Sequence, residues 1–483
     1  MFEQTAWRSA LTRRSFFSKS ACGIGVAALA SLLQRKSDAA ERGSGLLSPG
    51  VHFPARAKRI IYLFPAGGPP QMETFDYKPK LNELHLTELP TSILGDQRLT
   101  VFQALEPKKL VVAPPWGFRQ HGASGAWVCD LFPHLATMVD DLCFIKSMNT
   151  EAINHDPGQT MLLTGSQQPG RPSLGGWMSY GLGSENQNLP AFVVLMQSSR
   201  IPDANAPVSS VQWGTGFLPS SHQGVKFRAA NDPVLYLNNP PGIDSGARRE
   251  MLDAARSLNE LEHREFGDPE ILSRIAQFEL AYRMQSAAPQ LADTSNEPEH
   301  VFDMYGPQAR TPGSYAANCL MARRLAEAGV RFVQVIDRDW DHHRNSKKHM
   351  PRKAGEFDQP TAALLTDLKQ RGLLEDTLVV CSGEFGRSVY SQEGKLTDNY
   401  GRDHHGRCFT AWMAGAGVKA GQSIGRTDDY AFNVVEDPVH IHDFNATILH
   451  LAGIDHSRLT FRYQGRDHRL TDVHGHVVAK ALA

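Results

Sequence analysis

The chain has 483 residues, 41% apolar and 21% charged, a balance that suits a soluble globular protein of one large domain or two ordinary ones. Its 50 basic and 51 acidic residues nearly cancel, and the first 40 residues hold six basic and two acidic ones, which leaves the rest at a net −5. A mildly acidic body without a basic stripe argues against nucleic acid as a main partner, and no apolar run reaches the ~18 residues of a membrane-spanning helix.

The first segment in chain order reads as a targeting signal. Thr12-Arg13-Arg14-Ser15-Phe16-Phe17 precedes an apolar stretch at 22–33, then Gln34-Arg35-Lys36 and a small-residue site at Ser37-Asp38-Ala39-Ala40. Basic, apolar and small-residue regions in that order make a signal peptide, and the arginine pair suits the twin-arginine variety. The sequence therefore predicts a twin-arginine signal at 1–40 and one domain at 41–483. It implies the twin-arginine export machinery as a partner and a periplasmic or otherwise extracytoplasmic location. Membrane contact is expected only through the signal, if it stays uncleaved. Beyond Cys22, the cysteines at 129, 143, 319, 381 and 408 are odd in number and form no C-x-x-C pair, so they predict neither a disulfide framework nor a zinc ribbon.

Short β-rich runs follow at 59–64, 142–147, 191–196, 330–336, 377–381 and 409–413. Helical spacing of apolar residues marks 271–284, 315–328 and 360–371, the last two stopped by Gly329 and Gly372. Strands that are apolar throughout, alternating with helices, predict an α/β fold whose mostly parallel central sheet carries helices on both faces. Residues 217–244 are rich in Pro, Asn and Gly and read as a long surface excursion, and 287–313 are polar and Pro-rich and read as a loop or an insertion.

In open α/β sheets ligands bind beyond the carboxyl ends of the strands. The residues found there are Gly67-Gly68 with Glu73 and Asp76, then Asn154-His155-Asp156, then Asp337 to His343, then Gly383-Glu384-Phe385-Gly386-Arg387. Twelve of the 20 histidines fall in 339–483, with two carboxylate–imidazole clusters, Asp339-Trp340-Asp341-His342-His343 and Asp403-His404-His405. Such ligands suit zinc, iron or manganese. A dinucleotide site is disfavoured, because Gly67-Gly68 is not part of a G-x-G-x-x-G motif.

At these residues the chain resembles the alkaline phosphatase and sulfatase superfamily. Within it the chain resembles the exported bacterial family known as domain of unknown function 1501, over residues 55–475. Residues 373–380 followed by Ser382-Gly383-Glu384-Phe385-Gly386 are similar to the sulfatase strand that ends in Asp-His-Gly or Asp-Asn-Gly. His404-His405-Gly406 is similar to the phosphatase His-Thr-Gly motif, and Asp341 with His343 resembles its earlier Asp/His pair. The resemblance implies an alkaline phosphatase-like fold and a divalent metal held by Asp341, His343, Glu384, His404 and His405. Thr160-Met161-Leu162-Leu163-Thr164-Gly165 resembles the helix that begins at the superfamily nucleophile, a place held here by His155. Arg171-Pro172-Ser173 resembles the sulfatase motif without its Cys, Phe385 replaces a second metal ligand, and Ala66 stands where the first strand supplies a metal Asp. Residues 443–453 resemble the C-terminal sulfatase helix, whose apolar spacing is that of a packing motif.

Two functional readings follow. One is a metal-dependent hydrolase of sulfate or phosphate esters, small-molecule or polysaccharide, with His155 as a further ligand, a base or a covalent nucleophile and Arg171 or Arg387 holding the oxyanion. The other is a non-catalytic exported binding protein that keeps the sulfatase-like fold.

Overall fold

The computed structural model describes residues 51–105, 108–230, 232–392 and 399–483. The expected signal segment at 1–40 lies outside them. No helix of the described residues is long and apolar enough to cross a membrane.

In chain order the elements that build the body are β1 (Arg59–Pro65), β2 (Leu142–Asn149), α1 (His155–Thr164), α2 (Leu174–Leu182), β3 (Phe192–Met196) and β4 (Val225–Phe227). Next come α3 (Ser245–Phe266), α4 (Pro269–Ala292), α5 (Tyr315–Glu327), β5 (Phe332–Asp337), α6 (Ser346–Gln370) and β6 (Thr377–Cys381). The chain ends with β7 (Gly386–Ser391), β8 (Arg402–His405), β9 (Phe409–Ala414), β10 (Gln422–Ile424), β11 (Val439–His440) and α7 (Ile441–Leu451).

Nine of these strands form one sheet in the order β10-β2-β9-β6-β1-β5-β3-β4, with β11 beside β2. Within it only β9 runs antiparallel to its neighbours. At the centre Leu63 stands level with Cys381 on one side and Val335 on the other. Successive side chains of a strand face opposite ways, so each central strand feeds two cores. Ile61, Leu63, Val333, Val335 and Val379 pack under α5 and α6. Ile60, Tyr62, Phe64, Leu378 and Val380 pack under α1, α2 and α7. The expected α/β class, with a mostly parallel sheet covered on both faces, is what the structure has.

Three sequence expectations need correction. α6 starts at Ser346 and runs through Pro351 and Pro360, where the sequence marked a helix only from 360. Its buried Met350, Ala354, Phe357, Leu364 and Leu365 supply the apolar stripe that holds the helix together across two residues that normally break one. α3 was not expected at all; Gly267 (φ 64°) turns the chain, and Arg249 of α3 pairs with Glu279 of α4 at 2.7 Å. The polar stretch 287–313 contains the end of α4 and a short helix, Glu299–Tyr305, with Val301, Phe302 and Tyr305 buried.

Candidate metal centre

β1, β2, β5 and β6 point the same way, so their carboxyl ends share one rim. β9 runs the other way and starts at that rim, which brings β8, just ahead of it in sequence, to the same place. β8 also pairs antiparallel with β7, setting His404 level with Arg387.

The loop after β5 is pinned from both sides. Asp337 is fully buried and accepts from Lys353 Nζ of α6 at 2.5 Å and from Trp340 Nε1 at 2.7 Å. Burial pushes its carboxyl up to about 6 even with Lys353 beside it. Asp339 takes a left-handed backbone (φ 72°), and its carboxylate accepts from Ser199 Oγ at 2.7 Å and Arg200 N–H at 2.6 Å. Gly67 lies against this loop with φ 122°, and a Cβ there would sit 2.5 Å from the Asp341 nitrogen. Only glycine meets both demands.

Held this way, Asp341 and His343 meet His155, from the first turn of α1, and His404 of β8. One ligand atom from each of the four lies within 4.8 Å of every other. His343 Nε2 is 2.9 Å and His404 Nε2 3.4 Å from Asp341 Oδ1, and His155 Nε2 is 3.1 Å from Oδ2. The opposite nitrogen of each ring is already committed. His155 Nδ1 lies 2.6 Å from Glu384 Oε1, His404 Nδ1 2.9 Å from the Ile153 carbonyl, and His343 Nδ1 2.5 Å from Gln392 Oε1. All three partners are acceptors, so each Nδ1 carries a hydrogen, and in the neutral ring it is Nε2 that offers a lone pair. Three neutral rings would turn three lone pairs toward one carboxylate, an arrangement relieved by a positive charge among them, either a metal ion or a proton on His155. His155 Nε2 is buried, with the Asp341 carboxylate beside it. The donor set of three imidazoles and one carboxylate fits zinc, iron or manganese.

The charges agree with this geometry. Burial opposes a charge on Asp341, yet the Arg387 guanidinium at 2.5 Å and the three imidazoles hold its carboxyl far below the usual range. Burial lowers His155, but its bonds to Asp341 and Glu384 win and raise it to about 9, so without a cation this ring carries a proton on Nε2 that a bound ion would displace. Burial, with Arg387 and the neighbouring imidazoles, lowers His404 to about 4. Phe385 is fully buried and lies against both His155 and His404, with ring centroids 5.1 and 4.6 Å apart. An aromatic wall thus closes one side of the cluster.

Several expected residues sit elsewhere. His405 follows His404 on the strand and so faces away; its Nε2 donates to the Phe432 carbonyl at 2.6 Å and its ring stacks on Phe432. Glu384 stands behind His155 and not among the four, accepting also from Gly67 N–H at 3.0 Å and Gln159 Nε2 at 3.2 Å. Arg171 is outside the cluster and pairs with Asp472 at 2.9 Å. Arg387 donates to Asp341 and to the carbonyls of Gly67, Gly68 and Arg402, so it anchors the Asp341 carboxylate. His342 bonds the Asp339 carbonyl through Nε2, and the Asp403 carboxylate accepts from Thr100. The sequence reading missed Gln392 and the Ile153 carbonyl. No motif marks the first, and the second is backbone.

The fold and these groups define an α/β protein with a candidate single-ion centre at the carboxyl rim of its sheet. A family model described as Protein of unknown function (DUF1501) matches residues 57–482, and the chain belongs to that family. No curated protein matches it. Similar solved structures include a sulfatase from Pseudoalteromonas sp., at 11% identity and TM-score 0.34, over 82% of this chain and 68% of that one. Another is the alkaline phosphatase from the Antarctic bacterium TAB5, at 12% identity and TM-score 0.32, over 79% of this chain and 97% of that one. A third is a phosphonate monoester hydrolase from Silicibacter pomeroyi, at 13% identity and TM-score 0.29, over 67% and 68%.

Proposed function

We propose that the protein is an exported, metal-dependent hydrolase of phosphate or sulfate esters that works with one divalent ion and no covalent nucleophile. The observation that carries this is the convergence of three Nε2 atoms on Asp341, each ring fixed by an acceptor at Nδ1. His155, Asp341, His343 and His404 would hold the ion. When bound, such an ion supplies Lewis acidity to an ester oxygen and to water. The chain does the rest: Glu384 orients His155, Arg387 anchors Asp341, and Phe385 closes one side of the cluster. His343, with 29% of its side chain exposed, is the member most open to solvent and marks the side of substrate entry. His155 occupies the nucleophile's place as a ligand, since Glu384 and Asp341 hold both of its nitrogens.

The test is elemental analysis of protein purified without chelator, followed by assays on aryl sulfates and aryl phosphates. About one equivalent of transition metal and an ester-cleaving activity lost in His404→Ala are expected. Metal-free protein would end the reading. One observation favours the second reading, a binding protein without catalysis: Arg171 and Arg387, the two guanidiniums expected to clamp an oxyanion, are both engaged by protein acceptors. Metal retention without turnover on either ester class selects that reading.

A further inference from the structure

The helical hairpin of α3 and α4 shows two apolar stripes on one helix. Leu252 of α3 is buried, with Ala255, Asn259 and His263 half-buried on the same side, the side that faces α4. Roughly opposite, at ~100° per residue, lies a second stripe: Met251, Ala254, Leu258 and Leu261. The three large members are 53%, 67% and 55% exposed. A helix in water normally carries one apolar stripe, and a second one needs a second partner. The 3–4–3 spacing of these positions is that of a coiled-coil seam.

We propose that this stripe is a dimer contact in which α3 packs antiparallel against α3 of a second copy of the chain. The flanking charges select that partner and that direction. A two-fold axis at the level of Arg256 sets Met251 against Leu261 of the second copy and Ala254 against its Leu258. The same register sets Arg248 against Glu262 on one flank and Glu250 against Arg264 on the other, and the axis repeats each pair. Opposite charges therefore meet at four places, and Glu265 comes to the amino end of the facing helix, where a carboxylate is favoured. Glu250, Glu262 and Arg264 are exposed and Arg248 is half-buried at the edge of the inner side, and none of the four has an ion-pair partner among the described residues, whereas Arg249 and Arg256 are both spent on Glu279. A parallel pairing in register would leave the members of each pair 14 residues apart, about 21 Å along the helix, and lose the match. A self-complementary patch of this kind gives a closed two-fold dimer.

Sedimentation equilibrium of the purified protein at micromolar concentrations tests this. A reversible dimer is expected. Leu258→Glu, an exposed position whose change leaves the melting temperature of the monomer unmoved, should weaken dimerisation at least about tenfold. Glu262→Arg sets two arginines together at both ends and should weaken it as well. Adding Arg248→Glu to Glu262→Arg restores opposite charges in both pairs and should recover the dimer. A protein that stays monomeric, a dimer indifferent to Leu258→Glu, or a charge swap that fails to rescue would each overturn the proposal.

Discussion

Glu384 accepts at once from His155 Nδ1, Gly67 N–H and Gln159 Nε2, and it is fully buried. Glu384→Gln keeps the size but turns an amide NH₂ toward donors that need acceptors, and it removes the charge behind His155. Metal affinity is expected to fall about 10–100-fold, read by competition with a chromophoric chelator. An unchanged affinity would remove Glu384 from the positioning role. His404→Ala and His405→Ala form the companion test. The first should lose the metal while the fold persists. The second should keep the metal but lower the melting temperature, because the Phe432 carbonyl loses its donor in a buried place, at a cost of about 1–3 kcal/mol. Metal loss in His405→Ala alone would reverse the assignment of the two histidines. Asp341, His343, His404 and His155 could be picked out in the sequence because each follows or precedes a core strand. What the sequence could not show was orientation. Neighbours such as 404 and 405 have the same chemistry, and only strand pairing decides which one faces the rim. The parts of Glu384 and Arg387 were hidden for the same reason: a carboxylate or guanidinium one shell out looks like a ligand until its partners are known.

Asp337 and Lys353 join the carboxyl end of β5 to α6, and both side chains are fully buried. Removing one partner strands the other charge in the core. Lys353→Met is therefore expected to cost about 3–5 kcal/mol, measured by denaturant unfolding, and to loosen the loop that carries Asp341 and His343. A loss below about 1 kcal/mol, the range of exposed pairs, would show that the pair is not what fixes the loop. Each central strand was legible as an element because its residues are apolar on both faces, which only a doubly covered sheet accommodates. β9 was legible as a strand but not in its direction, since an antiparallel strand buried on both faces has the same composition. α3 was missed because its charged residues mask two narrow stripes, and the start of α6 because Pro351 reads as a breaker. In both cases packing against a neighbour decides, and local preference does not.

For the molecule as a whole, export and acid sensitivity can be checked together. The proposed twin-arginine route carries folded proteins, so Arg13→Lys with Arg14→Lys should leave folded, metal-containing precursor in the cytoplasm; normal export of that variant would remove the route. Acid sensitivity follows from histidines kept neutral by burial. His222 is lowered to about 4 by burial, against the opposing charge of Glu270, with Ser179 Oγ at 3.0 Å from its Nδ1. His442 is lowered to about 4 by burial and by His440 and His474, against Glu151 and Asp472, and its Nδ1 has no partner. Unfolded, both would titrate near ~6.5. Between about 6.5 and 4 the unfolded chain takes up protons that the folded chain refuses, so stability is complete above that window and falls as pH drops through it. Each group contributes a slope of up to about 1.4 kcal/mol per pH unit. Melting temperatures recorded from neutral to mildly acid pH at constant ionic strength should fall steadily, and His222→Gln combined with His442→Gln should flatten the fall. Parallel curves for the two proteins would mean that these rings are already protonated, or already solvated, in the native state.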